Sequence, residues 1–326
     1  MKKSVLITGV NGFIGSHFAE FLLKKNFIVW GCDVLNKKDL TRLDKKIQKN
    51  KNFIYKKVDV SDKKRFLNFL NKIKVSTIFH FAAIVGVQNY IDDPIKVIKF
   101  NISSTFTLSD FCKNKNIHLV FSSTSEAFGK NPNIPWNENA DRTTGPSHIP
   151  RWSYSSSKNT CEHILFGYYK KYNLPLTIVR FFNVYGPKQN PIYLVSKTIS
   201  NLQKNIKPLI YDRGKQTRCM TYIKDIINAL YKVLLKRKKL YGKSYNLGNE
   251  KEIKIKNVIE KICEMSGKKN FYKNIQTKNL YNKYYEDIPR RIPDCKSARA
   301  DLNWNIKFSF EQGIRETLNY YKLLKK

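Results

Sequence analysis

Tyr154 and Lys158 stand four residues apart in the segment YSSSK, within a pattern that predicts a helix. Residues four apart share one face of a helix, so the two side chains are neighbours. A nearby ammonium group favours the phenolate and lowers the pKa of a tyrosine toward working pH. The pair therefore predicts a general base that removes a proton from a substrate.

Polar side chains also cluster in the stretch FSSTSEAFG, which begins as an apolar, strand-like run. Ser123, Thr124, Ser125 and Glu126 follow one another at the end of this run. Glu126 supplies the carboxylate of the cluster. A strand end rich in hydroxyl groups, placed between a glycine-rich loop and the Tyr-Lys pair, argues against a chance match of that pair.

The glycine-rich loop follows the first predicted strand and opens the first predicted helix. Glycines allow a tight turn and a close approach of the backbone to a pyrophosphate, which the helix N-terminus favours. The loop therefore predicts dinucleotide binding rather than a plain turn. Its predicted cofactor-binding residues are Gly9, Asn11, Gly12, Phe13, Ile14 and Gly15.

Acidic residues end the second and third predicted strands. Asp33 follows the loop at the spacing of about 20 residues at which a carboxylate accepts hydrogen bonds from a ribose 2′-hydroxyl group. The same carboxylate repels a 2′-phosphate, which favours NAD over NADP. Asp59 and Val60 end the third predicted strand and would border the adenine. An ordinary turn or helix cap is the alternative for Asp33, and an ordinary strand end for Asp59.

Short apolar runs alternate with helical patterns through the first half of the chain. Strands separated by helices imply right-handed crossovers and a parallel, doubly wound sheet. The predicted fold is therefore a Rossmann-type α/β fold. The predicted strands cover residues 4–8, 26–33, 52–60, 76–83, 117–123 and 176–182.

The composition of the chain changes after Gly186, where Pro, Gly, Lys and Asn become frequent. Short strands alternate there with helical patterns near residues 193–204, 225–237, 253–266 and 309–322. This pattern predicts a smaller, mixed α/β substrate domain at the C-terminal end. We divide the chain into a cofactor-binding domain, residues 1–185, and a substrate-binding domain, residues 186–326, with chain crossings between them.

Composition excludes several classes of protein. At 326 residues with 41% hydrophobic content, the chain is neither disordered nor too short for a large core. No apolar run approaches the roughly 20 residues of a membrane helix. Six scattered cysteines without a CxxC pair predict reduced thiols in the cytoplasm. Five scattered histidines outside metal-ligand spacing predict no metal.

A formal net charge of +36 suits a nucleic acid or an anionic small substrate. The lysines are spread over the whole chain, which indicates a compositional bias rather than one binding stripe. A solvated helix end explains the densest cluster, KVLLKRKKLYGKS. We therefore predict no specific nucleic-acid partner and no membrane association.

The motifs together resemble the extended branch of the short-chain dehydrogenase/reductase superfamily, which contains NAD-dependent nucleotide-sugar epimerases, dehydratases and decarboxylases. The resemblance covers essentially the whole chain. Its motifs, in the order typical of that family, are GxxGxxG, HFAA (80–83), SSTSEAFG, YSSSK, RFFNVYGP (180–187), QTRCMTYIKD (216–225), YNLGN (245–249) and ARADLNW (298–304).

The resemblance implies transient oxidation of the C4 hydroxyl group of a nucleotide sugar. Tyr154 would take the proton while hydride goes to the nicotinamide, and Lys158 would bind the nicotinamide ribose. Thr124 would hydrogen-bond the same sugar oxygen. The residues that would line the cofactor are Phe81, Ala82 and Ala83, and those near the nucleotide's sugar or diphosphate are Asn183 and Arg218. A turn residue and a surface arginine are the respective alternatives for the last two.

Three reactions of a 4-keto sugar stay open. A 4-epimerase returns hydride to the other face of the sugar and needs little beyond Tyr, Lys and a hydroxyl group. A 4,6-dehydratase removes the C5 proton and expels the C6 hydroxyl group, for which it needs an acid and a base. A decarboxylase loses a C6 carboxylate, which is a β-keto acid once C4 is oxidised.

Thr124-Ser125-Glu126 resembles UDP-glucuronate decarboxylases and GDP-mannose 4,6-dehydratases more than epimerases. The segments 151–154 and 286–294 resemble decarboxylase segments, and the resemblance places Arg291 at the reacting carboxylate. Diphosphate binding and helix capping are the alternatives for Arg291. The leading hypothesis is a UDP-glucuronate decarboxylase-like enzyme, with a UDP-glucose 4-epimerase-like enzyme or a 4,6-dehydratase as alternatives.

Two further classes stay open. One is a net reductase or dehydrogenase that releases its nicotinamide, and the other is a nucleic-acid-binding module without catalysis, against which Tyr154 and Lys158 argue. The resemblance also implies a homodimer, for which the helices around 94–115 and 152–172 are the candidates.

Overall fold

A parallel sheet forms the centre of the protein. The computed structural model describes residues 3–276 and 288–323. The sheet strands are β1 (Ser4–Thr8), β2 (Ile28–Asp33), β3 (Phe53–Lys57), β4 (Thr77–His80), β5 (His118–Thr124), β6 (Leu176–Phe181) and β11 (Lys243–Leu247). All seven are parallel, in the order β11-β6-β5-β4-β1-β2-β3. This topology confirms the predicted Rossmann-type fold.

Helices cover both faces of the sheet. They are α1 (Phe13–Lys24), α2 (Lys45–Gln48), α3 (Lys63–Leu70), α4 (Val87–Asp92), α5 (Pro94–Cys112), α6 (Trp152–Tyr172), α7 (Leu194–Gln203), α8 (Ile223–Lys236), α9 (Ile255–Met265), α10 (Lys296–Leu302) and α11 (Phe310–Tyr320). None of these described helices has the length and apolar character needed to cross a membrane.

Adjacent residues of β1 pack against opposite helical layers because successive side chains of a strand point to opposite faces. Val5 and Ile7 belong to one apolar cluster with Phe18 of α1, whereas Leu6 belongs to a second cluster with Leu108 of α5. A strand buried on both faces has no polar side. This explains why the first strand is a continuous apolar run.

The second half of the chain forms small, separate sheets and also contributes to the central one. The remaining strands are β7 (Val184–Tyr185), β8 (Leu209–Tyr211), β9 (Thr217–Arg218), β10 (Thr221–Tyr222), β12 (Ile253–Lys254) and β13 (Lys273–Ile275), paired as β10-β7, β12-β9 and β13-β8. Strand β11 instead pairs with β6, so the chain crosses back into the first half. The sequence did not predict this seventh strand, and the domain division at residue 185 stays a prediction.

Two predicted strand ends are wrong. β4 ends at His80, whereas the sequence predicts a strand that continues through residue 83. β3 ends at Lys57, whereas the sequence predicts a strand that continues through Val60. The Asp59 carboxylate accepts hydrogen bonds from the backbone nitrogen (2.8 Å) and the hydroxyl group (2.7 Å) of Ser61. Such a local side-chain bond favours a turn over a strand. Asp59 and Val60 therefore follow β3 rather than end it.

Candidate active site

One large cleft opens at the carboxyl ends of the strands, where β1 lies between β2 and β4. Its volume is about 1860 Å³. Ligands of open α/β sheets bind at this point of the fold. Its wall contains most of the residues predicted from the sequence, namely Gly9, Gly12, Phe13, Ile14, Gly15, Asp33, Asp59, Val60, Phe81, Ala82, Ala83, Thr124, Ser125, Glu126, Tyr154, Lys158, Asn183 and Arg291.

The backbone around the glycine loop is so closely packed that side chains are excluded. A bare backbone of this kind can approach a pyrophosphate. Gly9 has a φ of +66°, and a Cβ atom at Gly9 would lie 2.8 Å from the backbone nitrogen of Ala82. A Cβ atom at Gly15 would lie 2.3 Å from the carbonyl oxygen of Gly9. Glycine is therefore required at both positions. The loop leads into α1, whose first-turn N–H groups suit an anion at the cleft wall.

Asp33 lies at the end of β2, at the other end of the predicted cofactor-binding region. Its carboxylate accepts hydrogen bonds from the backbone nitrogens of Asn11 (3.1 Å) and Val34 (2.9 Å). Burial raises the pKa of Asp33, and these N–H donors oppose the increase. Asn11 lies outside the cleft wall. It supports the glycine loop, because its side-chain oxygen accepts a hydrogen bond from the backbone nitrogen of Arg42 (3.0 Å).

Tyr154 and Lys158 lie on α6 beside the end of β5, as predicted. Lys158 donates a hydrogen bond to the carbonyl oxygen of Ser122 (2.9 Å), and burial lowers the pKa of Lys158 to about 8. Burial, followed by the charge of Glu126, raises the pKa of Tyr154, while a hydrogen bond from Thr124 opposes the increase. The predicted lowering of the Tyr154 pKa is therefore wrong for this structure, because desolvation dominates.

Tyr90 stacks on Tyr154 and was not predicted. The two rings are 4.6 Å apart between centroids and nearly parallel, at 3°. The backbone nitrogen of Gly86 donates a hydrogen bond to the Tyr90 hydroxyl oxygen (2.8 Å), which fixes the ring. Tyr90 lies on α4, a short helix for which the sequence gives no signal.

Two arginines flank the carboxylate of Glu126. Nη1 of Arg291 lies 3.2 Å from Oε1, and Nη1 of Arg151 lies 3.6 Å from Oε2. Arg291 and Arg151 are only 6% and 2% exposed. Both guanidinium groups are therefore buried against this carboxylate. Glu286 and Asp287 of the decarboxylase-like segment lie outside the described residues.

A second recess of about 490 Å³ adjoins the cleft, and the two share Asn183, Gln189 and Tyr193 in their walls. Arg218 lines this recess and not the main cleft. Nδ2 of Asn183 and Oε1 of Gln189 are buried without a hydrogen-bond partner among the described residues. Buried polar atoms without protein partners are suited to bind a ligand.

Sequence reasoning missed several residues of the site. Tyr193 lies close enough to Tyr154 and Glu126 to interact electrostatically with both. Arg151 has a sequence signal, since it precedes Tyr154 by three residues in a decarboxylase-like segment, but no role followed from the segment alone. Gln189 has no such signal.

The model of a protein family described as GDP-mannose 4,6 dehydratase matches residues 6–317 of the chain. The chain belongs to this family. Members of the family are extended short-chain dehydrogenases/reductases, which confirms the resemblance predicted from the motifs.

Individual members of the family resemble the chain over nearly its full length. It is 32% identical over 325 residues to a UDP-N-acetyl-α-D-glucosaminuronate decarboxylase of Bacillus cytotoxicus, covering 99% of this chain and 98% of the relative. A dTDP-glucose 4,6-dehydratase from Bacillus anthracis in complex with NAD superposes with a TM-score of 0.85 at 27% identity, covering 98% and 96%. A UDP-glucuronic acid 4-epimerase from Bacillus cereus in complex with UDP-glucuronic acid and NAD gives 0.85 at 25% identity, covering 98% and 99%.

As a member of the GDP-mannose 4,6 dehydratase family, the protein is an NAD-dependent enzyme that modifies nucleotide sugars. The cleft geometry fits the cofactor. The glycine loop would hold the pyrophosphate, Asp33 the adenosine ribose, and Lys158 the nicotinamide ribose.

Proposed function

We propose that the protein decarboxylates a UDP-linked uronic acid, in line with the leading hypothesis from the sequence. The observation that carries the proposal is the place of Arg291 on the cleft wall, where its buried guanidinium group lies 3.2 Å from the Glu126 carboxylate and shares the wall with Tyr154. A guanidinium group binds carboxylates through charge-assisted hydrogen bonds. Arg291 is therefore suited to bind the carboxylate of a uronic acid.

The residues near β5 would begin the reaction. Tyr154 takes the proton of the C4 hydroxyl group. The positive charges of Lys158, one turn along α6, and of the nicotinamide when bound would favour the phenolate that burial disfavours. Thr124 hydrogen-bonds the same oxygen. When bound, NAD accepts the hydride from C4 and returns it at the end of the cycle. The C6 carboxylate is then β to a ketone.

Decarboxylation follows from that arrangement. The C5–C6 bond breaks, carbon dioxide leaves, and the electron pair passes through C5 to the C4 oxygen as an enolate. The protonated Tyr154 and the Thr124 hydroxyl group stabilise this oxygen by hydrogen bonds. A proton from solvent, relayed by a water molecule that Glu126 would bind, adds to C5 and restores the ketone before the hydride returns to C4. Arg291 holds the C6 carboxylate until its bond breaks.

The Bacillus cytotoxicus relative supports decarboxylation, and the two solved structures support the alternatives. The Bacillus cereus epimerase acts on a uronic acid too, so an anionic sugar by itself does not separate the two reactions. Glu126 favours decarboxylation, because epimerisation needs no further carboxylate. A 4,6-dehydratase acts on a sugar with a C6 hydroxyl group, which offers Arg291 no carboxylate.

Product analysis separates these reactions. The purified enzyme is incubated with UDP-glucuronic acid, UDP-N-acetylglucosaminuronic acid, UDP-glucose, GDP-mannose and dTDP-glucose, without added NAD. We expect loss of carbon dioxide from a UDP-uronic acid, measured by mass spectrometry. Loss of water, an unchanged mass with an inverted C4, or turnover only with added nicotinamide would each contradict the proposal.

Arg291→Gln should weaken binding of the uronic acid. Removing one partner of a buried, charge-assisted contact costs on the order of 2 kcal/mol or more, which corresponds to a rise in KM of roughly 30-fold. KM is measured with the UDP-uronic acid, and the Kd of UDP alone is measured beside it and should not change.

Arg290→Gln is the matched control. Arg290 is adjacent in sequence but half-exposed, and it pairs with Glu252 outside the cleft. Its replacement should leave KM unchanged. An Arg291→Gln enzyme with the KM of the wild type would show that Arg291 does not bind the substrate carboxylate.

We also propose that the protein is a homodimer through α5 and α6. Ile95, Ile98 and Phe106 are exposed on one face of α5, and Tyr172 is exposed on α6. Light scattering should show a dimer for the wild type and a monomer for Ile98→Asp/Phe106→Asp. Leu235→Asp, at an exposed leucine of α8, is the control and should stay dimeric. A monomeric wild type would refute this interface.

We also propose a cytoplasmic location, which the six scattered cysteines support, and a division into two domains at residue 185.

A further inference from the structure

One face of α6 holds the turn that carries Glu126. Arg151 contacts the Glu126 carboxylate at 3.6 Å, the Ser155 hydroxyl group donates to the Glu126 carbonyl oxygen (2.6 Å), and the Asn159 side chain donates to the Ala127 carbonyl oxygen (2.9 Å). Ser155 and Asn159 belong to α6, and Arg151 immediately precedes it with helical backbone angles (φ −52°, ψ −33°). The three residues are four apart, so they form one stripe along the helix. The turn is therefore fixed by a single rigid element.

Tyr154 and Lys158 form the neighbouring stripe of the same helix. Because Ser155 and Asn159 bind the backbone of the turn from the helix that also carries Tyr154, α6 fixes the position of the turn relative to Tyr154. Ser155 and Asn159 reach only the backbone of the turn. Arg151 is the member of its stripe that contacts the Glu126 side chain.

The two arginines contact different oxygens of the Glu126 carboxylate, Arg291 at Oε1 and Arg151 at Oε2. If a substrate carboxylate recruits Arg291, the contact of Arg151 with Oε2 can persist. Without Arg151 this charge contact would be lost, and the orientation of the carboxylate would change. A cation–π contact restrains Arg151, because its guanidinium carbon lies 5.8 Å from the centroid of the Trp152 ring.

We propose that Arg151 is a positioning residue that orients the ionised Glu126 carboxylate while Arg291 transfers to the carboxylate of the substrate. The inference rests on the proposed function. It assigns the two arginines separate tasks, since Arg291 binds substrate and Arg151 acts through Glu126.

A double-mutant cycle tests this division. Arg151→Gln, Glu126→Gln and the double variant are prepared with NAD bound, and kcat and KM are measured with the UDP-uronic acid that the wild type converts best. We expect Arg151→Gln to lower kcat about 100-fold, the scale of a misplaced acid–base group, with little change in KM. The double variant should be no slower than Glu126→Gln, because both changes remove one function.

Two further measurements separate positioning from folding. Arg151→Lys keeps the charge and should recover most of the lost kcat, and the pH profile of kcat should shift in Arg151→Gln but not in Arg151→Lys. Arg65→Gln, at an exposed arginine of α3, controls for loss of an arginine and should match the wild type. Thermal unfolding and retained NAD are compared for every variant.

Independent effects that multiply in the double variant, or a rise in KM without a fall in kcat, would overturn the inference. A wild type that releases no carbon dioxide would instead overturn the proposed function. In that case the cycle is measured on the reaction that the wild type does catalyse, and the same multiplied effects would still refute the coupling of Arg151 to Glu126.

Discussion

Tyr154→Phe should lower turnover by about 10²- to 10⁴-fold, the contribution of a positioned general base. Phenylalanine cannot take the C4 proton, but its ring preserves the stacking on Tyr90, whose centroid lies 4.6 Å away. We therefore expect the variant to fold and to retain NAD. Turnover is measured by product mass, and bound NAD by absorbance after denaturation.

Tyr168→Phe is the control for loss of a tyrosine hydroxyl group on the same helix. Tyr168 hydrogen-bonds Asp110 (2.8 Å) on the outside of the protein, away from the cleft wall. Its replacement should leave turnover unchanged. Turnover of Tyr154→Phe within tenfold of the wild type would exclude Tyr154 as the base.

Lys158→Met should abolish most turnover and yet stabilise the fold near pH 7. Lys158 is 2% exposed, and burial lowers its pKa from 10.5 to about 8. The charged amine therefore destabilises the folded state. Its removal should raise the free energy of unfolding by about 1–2 kcal/mol, since the lost hydrogen bond to Ser122 offsets part of the gain. Urea unfolding measures this difference.

Lys158 makes the free energy of unfolding of the wild type depend on pH. Between pH 8 and 10.5 the unfolded chain binds a proton at Lys158 that the folded chain lacks, so wild-type stability rises with pH in this window. The advantage of Lys158→Met is complete below pH 8 and should shrink by pH 9.5.

Lys64→Met, at an exposed lysine of α3, is the control and should change stability by less than about 0.5 kcal/mol. A destabilised Lys158→Met protein at pH 7 would contradict the expected cost of burying the charge.

The sequence predicted the parts of the site that depend on local pattern. The glycine loop, Asp33 at the end of β2, and the Tyr154–Lys158 pair on α6 each follow from spacing within one strand or helix. All of these except Asn11 of the loop lie on the cleft wall. Their individual roles stay predictions.

The features that the sequence did not predict depend on contacts between residues that are distant in sequence. β11 begins with Lys243 and Ser244, so it lacks the apolar run that marks a strand, and only its pairing with β6 defines it. Arg151 and Glu126 meet because α6 packs against the turn after β5. The pKa of Tyr154 follows from its burial, which the spacing of Tyr and Lys does not reveal.

The pairing of β11 with β6 has a consequence for protein synthesis. A ribosome releases the chain from its N-terminus, so the edge of β6 has no partner until residue 247 has emerged. Val179 of β6 also packs in the cluster that contains Leu230 and Val233 of α8, and these residues emerge late too. A nascent chain of the first half therefore exposes a strand edge and apolar surface, the features that chaperones bind and that promote aggregation. The sheet of the first half therefore cannot be completed until β11 of the second half has been made.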